Sequence, residues 1–322
     1  MLKNDTARPL SWKEIPPRRL LMPRGILPCL LALTLLQCGC TRPVARQDGA
    51  RLRLASTAPN LTECVFAIGA GDLLVGRTES CDYPPEVVGG IPVIGGFGTP
   101  YLEPLLAARP THVLETVLAD PDIARRLDTL HIPLVHVPCT RLDEIPDALR
   151  QLGLLTGHEA RSQQLADLIR AGVATARAET AATKPRPRVA LLFAPDSPIT
   201  AGRHAFISEL LALAGGDNIG NSSDIDYYHV SLEWLLNENP DMILCLFETS
   251  AKDPVTLFAA QTGWRSLAAV LQHRVYTVPD LNTVCRPGPR VLEGLAQLKQ
   301  VLSLDSKRRH STPPDPSRSE PK

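Results

Sequence analysis

The sequence predicts an α/β fold: two Rossmann-like lobes with parallel sheets, joined by a single long helix. Three observations predict it. The phrase Leu102-Glu103-Pro104-Leu105-Leu106-Ala107-Ala108-Arg109-Pro110 returns 130 positions later as Leu232-Glu233-Trp234-Leu235-Leu236-Asn237-Glu238-Asn239-Pro240. Each copy reads as a short helix stopped by proline and feeding a buried strand, at 111–115 and 241–245. Short apolar runs alternate with helix-periodic segments through both halves, the pattern of parallel sheets covered by helices. Between the halves, residues 159–183 hold no proline and one glycine, which predicts one helix of about 24 residues and roughly 36 Å.

The remaining elements follow in chain order. Residues 1–40 read as an export signal: Pro23 and Arg24 precede an apolar run over 26–36, too short for the roughly 20 apolar residues of a membrane span. Met22 is the expected start of translation. The run ends at Gln37-Cys38-Gly39-Cys40, where a small residue before cysteine fits lipoprotein processing, so Cys40 is the expected lipidated residue. Polar residues 41–50 form a tether. The N-terminal lobe takes 51–156, with strands at 52–56, 73–77, 91–94, 113–115 and 134–137 and a helix over 61–68 stopped by Gly69 and Gly71. The linking helix takes 157–184 and ends at Lys184-Pro185-Arg186-Pro187. The C-terminal lobe takes 185–304, with strands at 189–193, 242–246 and 275–278. Residues 305–322, rich in charge, serine and proline, form a disordered tail.

Composition narrows the function classes. The chain has 322 residues, enough for two domains, and 44% hydrophobic content supports two cores. Its 34 basic and 34 acidic residues balance to a formal net charge of zero. No arginine-rich face interleaved with aromatics stands out, so no nucleic acid partner is expected. Beyond Cys40 there are five cysteines, an odd number, without Cys-x-x-Cys or Cys/His spacing. No metal site is therefore expected, and Cys139 and Cys245 read as buried inert thiols in strands. The chain lacks Gly-x-Ser-x-Gly, Walker and HExxH patterns, and Ser56, His136 and Asp196 are scattered residues rather than a triad. No catalytic residue and no cofactor are assigned.

Glu103 precedes Pro104, which is tolerated only in the first turn of a helix, and Glu233 follows the N-cap candidate Ser231 by two residues. Both glutamates therefore stand at helix starts, where they complement the macrodipole by about 0.3–1 kcal/mol. Their repetition points beyond that local role.

Other phrases carry a resemblance. Asn60-Leu61-Thr62-Glu63, Val75-Gly76-Arg77-Thr78, Cys81-Asp82-Tyr83-Pro84-Pro85-Glu86, Gly95-Gly96-Phe97, Thr200-Ala201-Gly202-Arg203, Glu209 to Gly216 and Arg286-Pro287-Gly288-Pro289-Arg290 stand in the order found in helical-backbone substrate-binding proteins of ABC importers. Over residues 51–304 the chain resembles most closely the vitamin B12 (cobalamin) branch, with ferric siderophore and haem binders as near relatives. The resemblance implies a monomer that captures a small molecule, a corrinoid above all, and delivers it to an ABC permease dimer with its ATPase subunits. It also implies that Glu103 and Glu233 dock on permease arginines, and that a lipid anchor holds the protein to a membrane. The siderophore or haem cargo and, from another class, an α/β enzyme acting on a metal chelate or small ester are the alternatives.

The ligand is expected between the lobes, beyond the carboxyl ends of the strands. The expected contacts are Pro59, Asp82, Tyr83 and Phe97 from the first lobe, and Arg203, His204, Tyr227, Tyr228 and Arg286 from the second. Aromatics suit the broad face of a corrin or porphyrin, and arginines its amides or carboxylates. Phe97 stands where cobalamin binders often carry tryptophan. His204, His229 and Cys285 are the residues able to reach a metal centre in the cargo, although a lone histidine more often hydrogen-bonds at a surface.

Overall fold

The computed structural model describes residues 51–118, 120–182, 185–251 and 253–311. The export signal, Cys40 and the tether lie outside the described residues. Two four-stranded sheets are present, and every pairing within them is parallel. The first runs in the order Leu74–Gly76, Leu54–Ser56, His112–Glu115, Leu134–His136. The second runs Asp217–Asn218, Arg188–Leu192, Met242–Cys245, Val275–Thr277. Numbered along the chain within each lobe, both orders are 2-1-3-4, so the duplicated phrase marks a duplicated topology.

Period-2 alternation divides each sheet between two cores. Leu54 and Leu114 point into a large central cluster, whereas Ala55 and Val113 join a small one with Ile94, Leu105 and Leu127. In the second lobe Val189, Leu191, Met242 and Leu244 enter the same central cluster, while Ala190, Leu192, Ile243 and Cys245 face Phe258 and Trp264. The central cluster also takes Leu165, Ile169 and Ala176 from the linking helix, Glu159–Ala181. One apolar core thus runs through both lobes. Against the linking helix packs the helix Ile145–Thr156, so closely that a Cβ on Gly153 would lie 2.0 Å from Ser162 Oγ.

Two sequence expectations are corrected. Residues 91–94 do not form a strand; they make a single parallel bridge, Arg77 with Val93, because Pro92 has no N–H to extend the ladder. Nor does the lobe end at 304. The last helix, Val291–Ser311, carries Asp305 into full burial, where Arg274 Nε and Nη2 donate to its two carboxylate oxygens at 2.7 and 2.9 Å.

The repeat extends to atomic detail. The helices Leu102–Ala107 and Leu232–Glu238 end at left-handed residues, Arg109 (φ 49°) and Asn239 (φ 41°), each followed by proline. Glu103 and Glu233 are exposed in the first turns, and among the described residues neither is engaged in an ion pair. Ser231 caps the second helix by accepting from Trp234 N at 3.0 Å, whereas Tyr101 gives the first no side-chain cap. A second echo follows, since His131 (φ 56°) and His273 (φ 53°) each turn a helix into the outer strand of their sheet.

Candidate functional site: the cavity between the lobes

A cavity of about 500 Å3 opens between the lobes. Pro59 lines it from the first turn of the helix Pro59–Ala67, where the missing N–H costs nothing. Phe97 lines it from the tip of a two-residue turn joining Gly95–Gly96 to Thr99–Pro100, a turn that Gly98 closes at φ 64°. Opposite stand His204, Tyr227 and Arg286. Phe97 and Tyr227 keep 52% and 48% of their surface exposed. Two large rings left half bare, one from each lobe, constitute an apolar contact surface that none of the described residues fills.

The other four expected contacts do not line the cavity. Tyr228 follows Tyr227 in a strand and so points to the opposite face, where its hydroxyl donates to Gly220 O at 3.0 Å. Arg203 turns to Asp224 at 3.0 Å and to Asn221 O. Asp82 accepts from Arg286 Nη1 at 2.6 Å and from Asn282 Nδ2 at 2.7 Å, bridging the lobes beside the cavity. Tyr83 lies under the Arg290 guanidinium, 4.0 Å from its ring centroid. His229 also stays outside, with Nδ1 3.2 Å from Ser197 Oγ.

Thr116, Arg141 and Asp226 line the cavity without any sequence expectation, and so does Cys139, expected only as an inert strand thiol; Cys285, from the expected metal-reaching set, lines it too. Cys139 sits in the loop beyond the strand Leu134–His136 rather than within a strand, and its thiol donates to Pro287 O at 3.3 Å. Arg141 pairs across the lobes with Glu209 and donates to His204 O at 3.0 Å. On the other flank the buried Glu63 receives a two-pronged pair from Arg290, Nε to Oε2 and Nη2 to Oε1, both at 2.8 Å. Burial lowers the proton affinity of Arg290, but Glu63 and Asp280 outweigh it and the net shift is upward. A signal for this pair was present in the sequence. Glu63 is the one carboxylate in a nine-residue apolar helix, and a charge so placed requires a partner.

These neighbours set the chemistry of the cavity. The Tyr227 hydroxyl is pushed up to about 12 by burial first and then by Cys285 and Asp226. Burial likewise pushes Cys285 up to about 12, with Arg286 opposing and Asp280 reinforcing. Both stay protonated at neutral pH, and a protonated thiol is a poor metal ligand. All five described cysteines are free, and contact with Cys139, then burial, raises Cys64 well above the ordinary thiol value. Among the described residues no group of three or more His, Cys, Asp or Glu could hold a metal ion, and no helix is long and apolar enough to cross a membrane. The two guanidiniums at the cavity, Arg141 and Arg286, are already matched by carboxylates.

Comparison with known proteins agrees with this architecture. Over 289 residues the chain is 29% identical to a vitamin B12-binding protein of Yersinia pseudotuberculosis, covering 88% of this chain and 96% of the relative. It is 28% identical over 256 residues to the vitamin B12-binding protein of Pectobacterium carotovorum, covering 78% and 88%. Among solved structures, the periplasmic vitamin B12 binding protein BtuF of Vibrio cholerae superposes with a TM-score of 0.68 at 26% identity, over 79% of this chain and 98% of that one. The periplasmic heme-binding protein RhuT of Roseiflexus shares the fold at a TM-score of 0.71 and 24% identity, over 80% and 100%. A family model described as periplasmic binding protein matches residues 54–281, most of the chain, so the protein belongs to the periplasmic binding protein family and is a binding protein rather than an enzyme.

Proposed function

We propose that this protein captures a corrinoid in the cavity between its lobes and delivers it to an ABC permease. The observation that carries the reading is the pair of half-bare rings, Phe97 from one lobe and Tyr227 from the other, in a cavity whose two guanidiniums are already matched by carboxylates. A broad apolar face with amide substituents meets such a cavity without drawing either arginine from its carboxylate. Relatives named vitamin B12-binding proteins, at 28 and 29% identity, support the same cargo. A haem cargo has one observation in its favour, namely that two arginines border the cavity. Its carboxylates would have to displace Glu209 or Asp82 from them. The corrinoid reading is therefore the better supported.

Delivery rests on Glu103 and Glu233, one exposed carboxylate at an equivalent place on each lobe. Two separated charges can register a monomer on a two-fold symmetric basic partner, because both pairs form only in the correct orientation. Acylation at Cys40 would hold the protein at the membrane beside its permease. The central core shared by both lobes limits closure to a small hinge motion.

Titration of the purified protein with cyanocobalamin, haemin and a ferric siderophore tests the cargo. We expect saturable one-to-one binding of cyanocobalamin, weakened by about 2 kcal/mol in both Phe97→Ala and Tyr227→Ala. Tighter stoichiometric binding of haemin would overturn the corrinoid assignment.

A further inference from the structure

Each docking helix is held from behind by an arginine of the neighbouring strand. Arg53 precedes the first strand of the N-terminal lobe, and Arg188 begins the first strand of the C-terminal lobe. Arg53 Nη2 donates to Ala108 O at 2.7 Å and Nε to Arg109 O at 2.8 Å. Arg188 Nη1 donates to Glu238 O, which is Ala108 displaced by the 130-residue repeat, and Nη2 meets the Glu238 carboxylate at 2.6 Å. The backbone repeats the bracket. Thr111 N donates to Arg53 O and Asp241 N to Arg188 O, both at 2.8 Å. In return, Thr111 Oγ1 accepts from Arg53 N at 2.9 Å and Asp241 Oδ2 from Arg188 N at 2.8 Å.

We propose that Arg53 and Arg188 are positioning residues for permease docking: they clamp the C-terminal carbonyls of the two short helices and thereby fix where Glu103 and Glu233 stand. The inference rests on the docking role proposed for those glutamates.

The physics favours it. Helices of six and seven residues are far below the length at which a helix holds itself in water. Their last carbonyls have no intrahelical donor, and a guanidinium there both satisfies them and complements the helix dipole. Glu103 lies five residues before Ala108, about 7.5 Å along the axis, so a loosened carbonyl end would tilt the carboxylate end. The lobes differ in one respect. Arg53 grips two neighbouring carbonyls with its fork, while Arg188 grips one carbonyl and one carboxylate. A lysine can retain the charge contact to Glu238 but cannot span two carbonyls.

Cyanocobalamin uptake by cells, cyanocobalamin affinity of the purified protein, and amide exchange over 102–109 and 232–239 test the clamp. In Arg53→Ala/Arg188→Ala we expect exchange in those two helices to quicken by about tenfold, with the rest of the chain and the affinity unchanged. Uptake should fall at limiting binding protein and recover when more is supplied, whereas Glu103→Ala/Glu233→Ala should not recover. Arg188→Lys should restore uptake better than Arg53→Lys. Normal uptake in the arginine variant beside lost uptake in the glutamate variant overturns the clamp and leaves docking intact. Normal uptake in both overturns docking and the clamp with it. Exchange that quickens throughout the chain shows a merely structural role and also overturns the clamp.

Discussion

The two lobes share strand order, a short helix carrying an exposed glutamate and left-handed turns, yet they differ at the cavity between them and around the last helix. The first lobe offers the cavity a phenylalanine on a glycine turn; the second offers a tyrosine on a strand paired antiparallel with Ile199–Ala201. After the matched turns at His131 and His273, the first lobe places the apolar Ile132 beside its small cluster, and the second places Arg274 on the buried Asp305. At the head of the central strand the first lobe has the half-buried His112, and the second, 130 residues on, the buried Met242. The features kept in both lobes are the strand order, the left-handed turns and a short helix, held by an arginine, that carries an exposed glutamate. Those that diverged serve one wall, one edge or one core.

Four experiments bear on this comparison. Removing both kept carboxylates, in Glu103→Ala/Glu233→Ala, should abolish uptake with cargo affinity unchanged. A loss of affinity would place them in the cavity instead. Next in size are the buried ion pairs. Asp305→Ala should cost about 3–5 kcal/mol in urea unfolding, since it leaves the buried Arg274 with only Asp241 at 4.0 Å, and Glu63→Ala should cost less, since Arg290 keeps Asp280 at 2.8 Å. Asp305→Ala touches only the second lobe, but the shared core should keep its unfolding a single transition; two transitions would show the lobes to be separate folding units.

The third effect is smaller. Arg109 adopts the same left-handed conformation as Asn239, and asparagine tolerates it better, so Arg109→Asn should stabilise by about 0.5 kcal/mol. Destabilisation would mean that the Arg109 side chain contributes a contact its counterpart lacks. The smallest effect concerns pH. Burial lowers the pKa of His112 from 6.5, so the folded state binds this proton less readily than the unfolded chain. The corresponding stability is fully present above pH 6.5 and is lost as pH falls through the lowered folded value. His112→Met, which copies the second lobe, should flatten that part of the stability profile slightly; an unchanged profile would assign the acid sensitivity elsewhere.

Much of this architecture could be read without coordinates, because it rests on local rules. A proline after Glu103 and a serine before Glu233 locate both helix starts, and strand alternation assigns Leu54, Val113, Leu191 and Ile243 to opposite sheet faces. The cavity was only half legible. Pro59, Phe97 and Tyr227 stand out as a helix-start proline and aromatics near turns, whereas Arg141 and Cys139 reach the site only because loops far apart in sequence converge there. Tyr227 and Tyr228 look alike in sequence, and the strand pleat alone separates a cavity wall from a packing residue.

By itself the sequence determined the duplication, the parallel α/β class, the long linking helix and the helix-start placement of both glutamates, since periodicity, capping and proline placement act within a few residues. Tertiary structure decided which charges are spent within the protein. Arg286 reads as a ligand contact, and Arg290 has no role in the sequence reading, until Asp82 and Glu63, more than 200 residues earlier, come within hydrogen-bond distance. Arg53, Arg188 and Asp305 likewise acquire partners only through folding. Electrostatic pairing depends on distance in space, which no short-range pattern in the chain encodes.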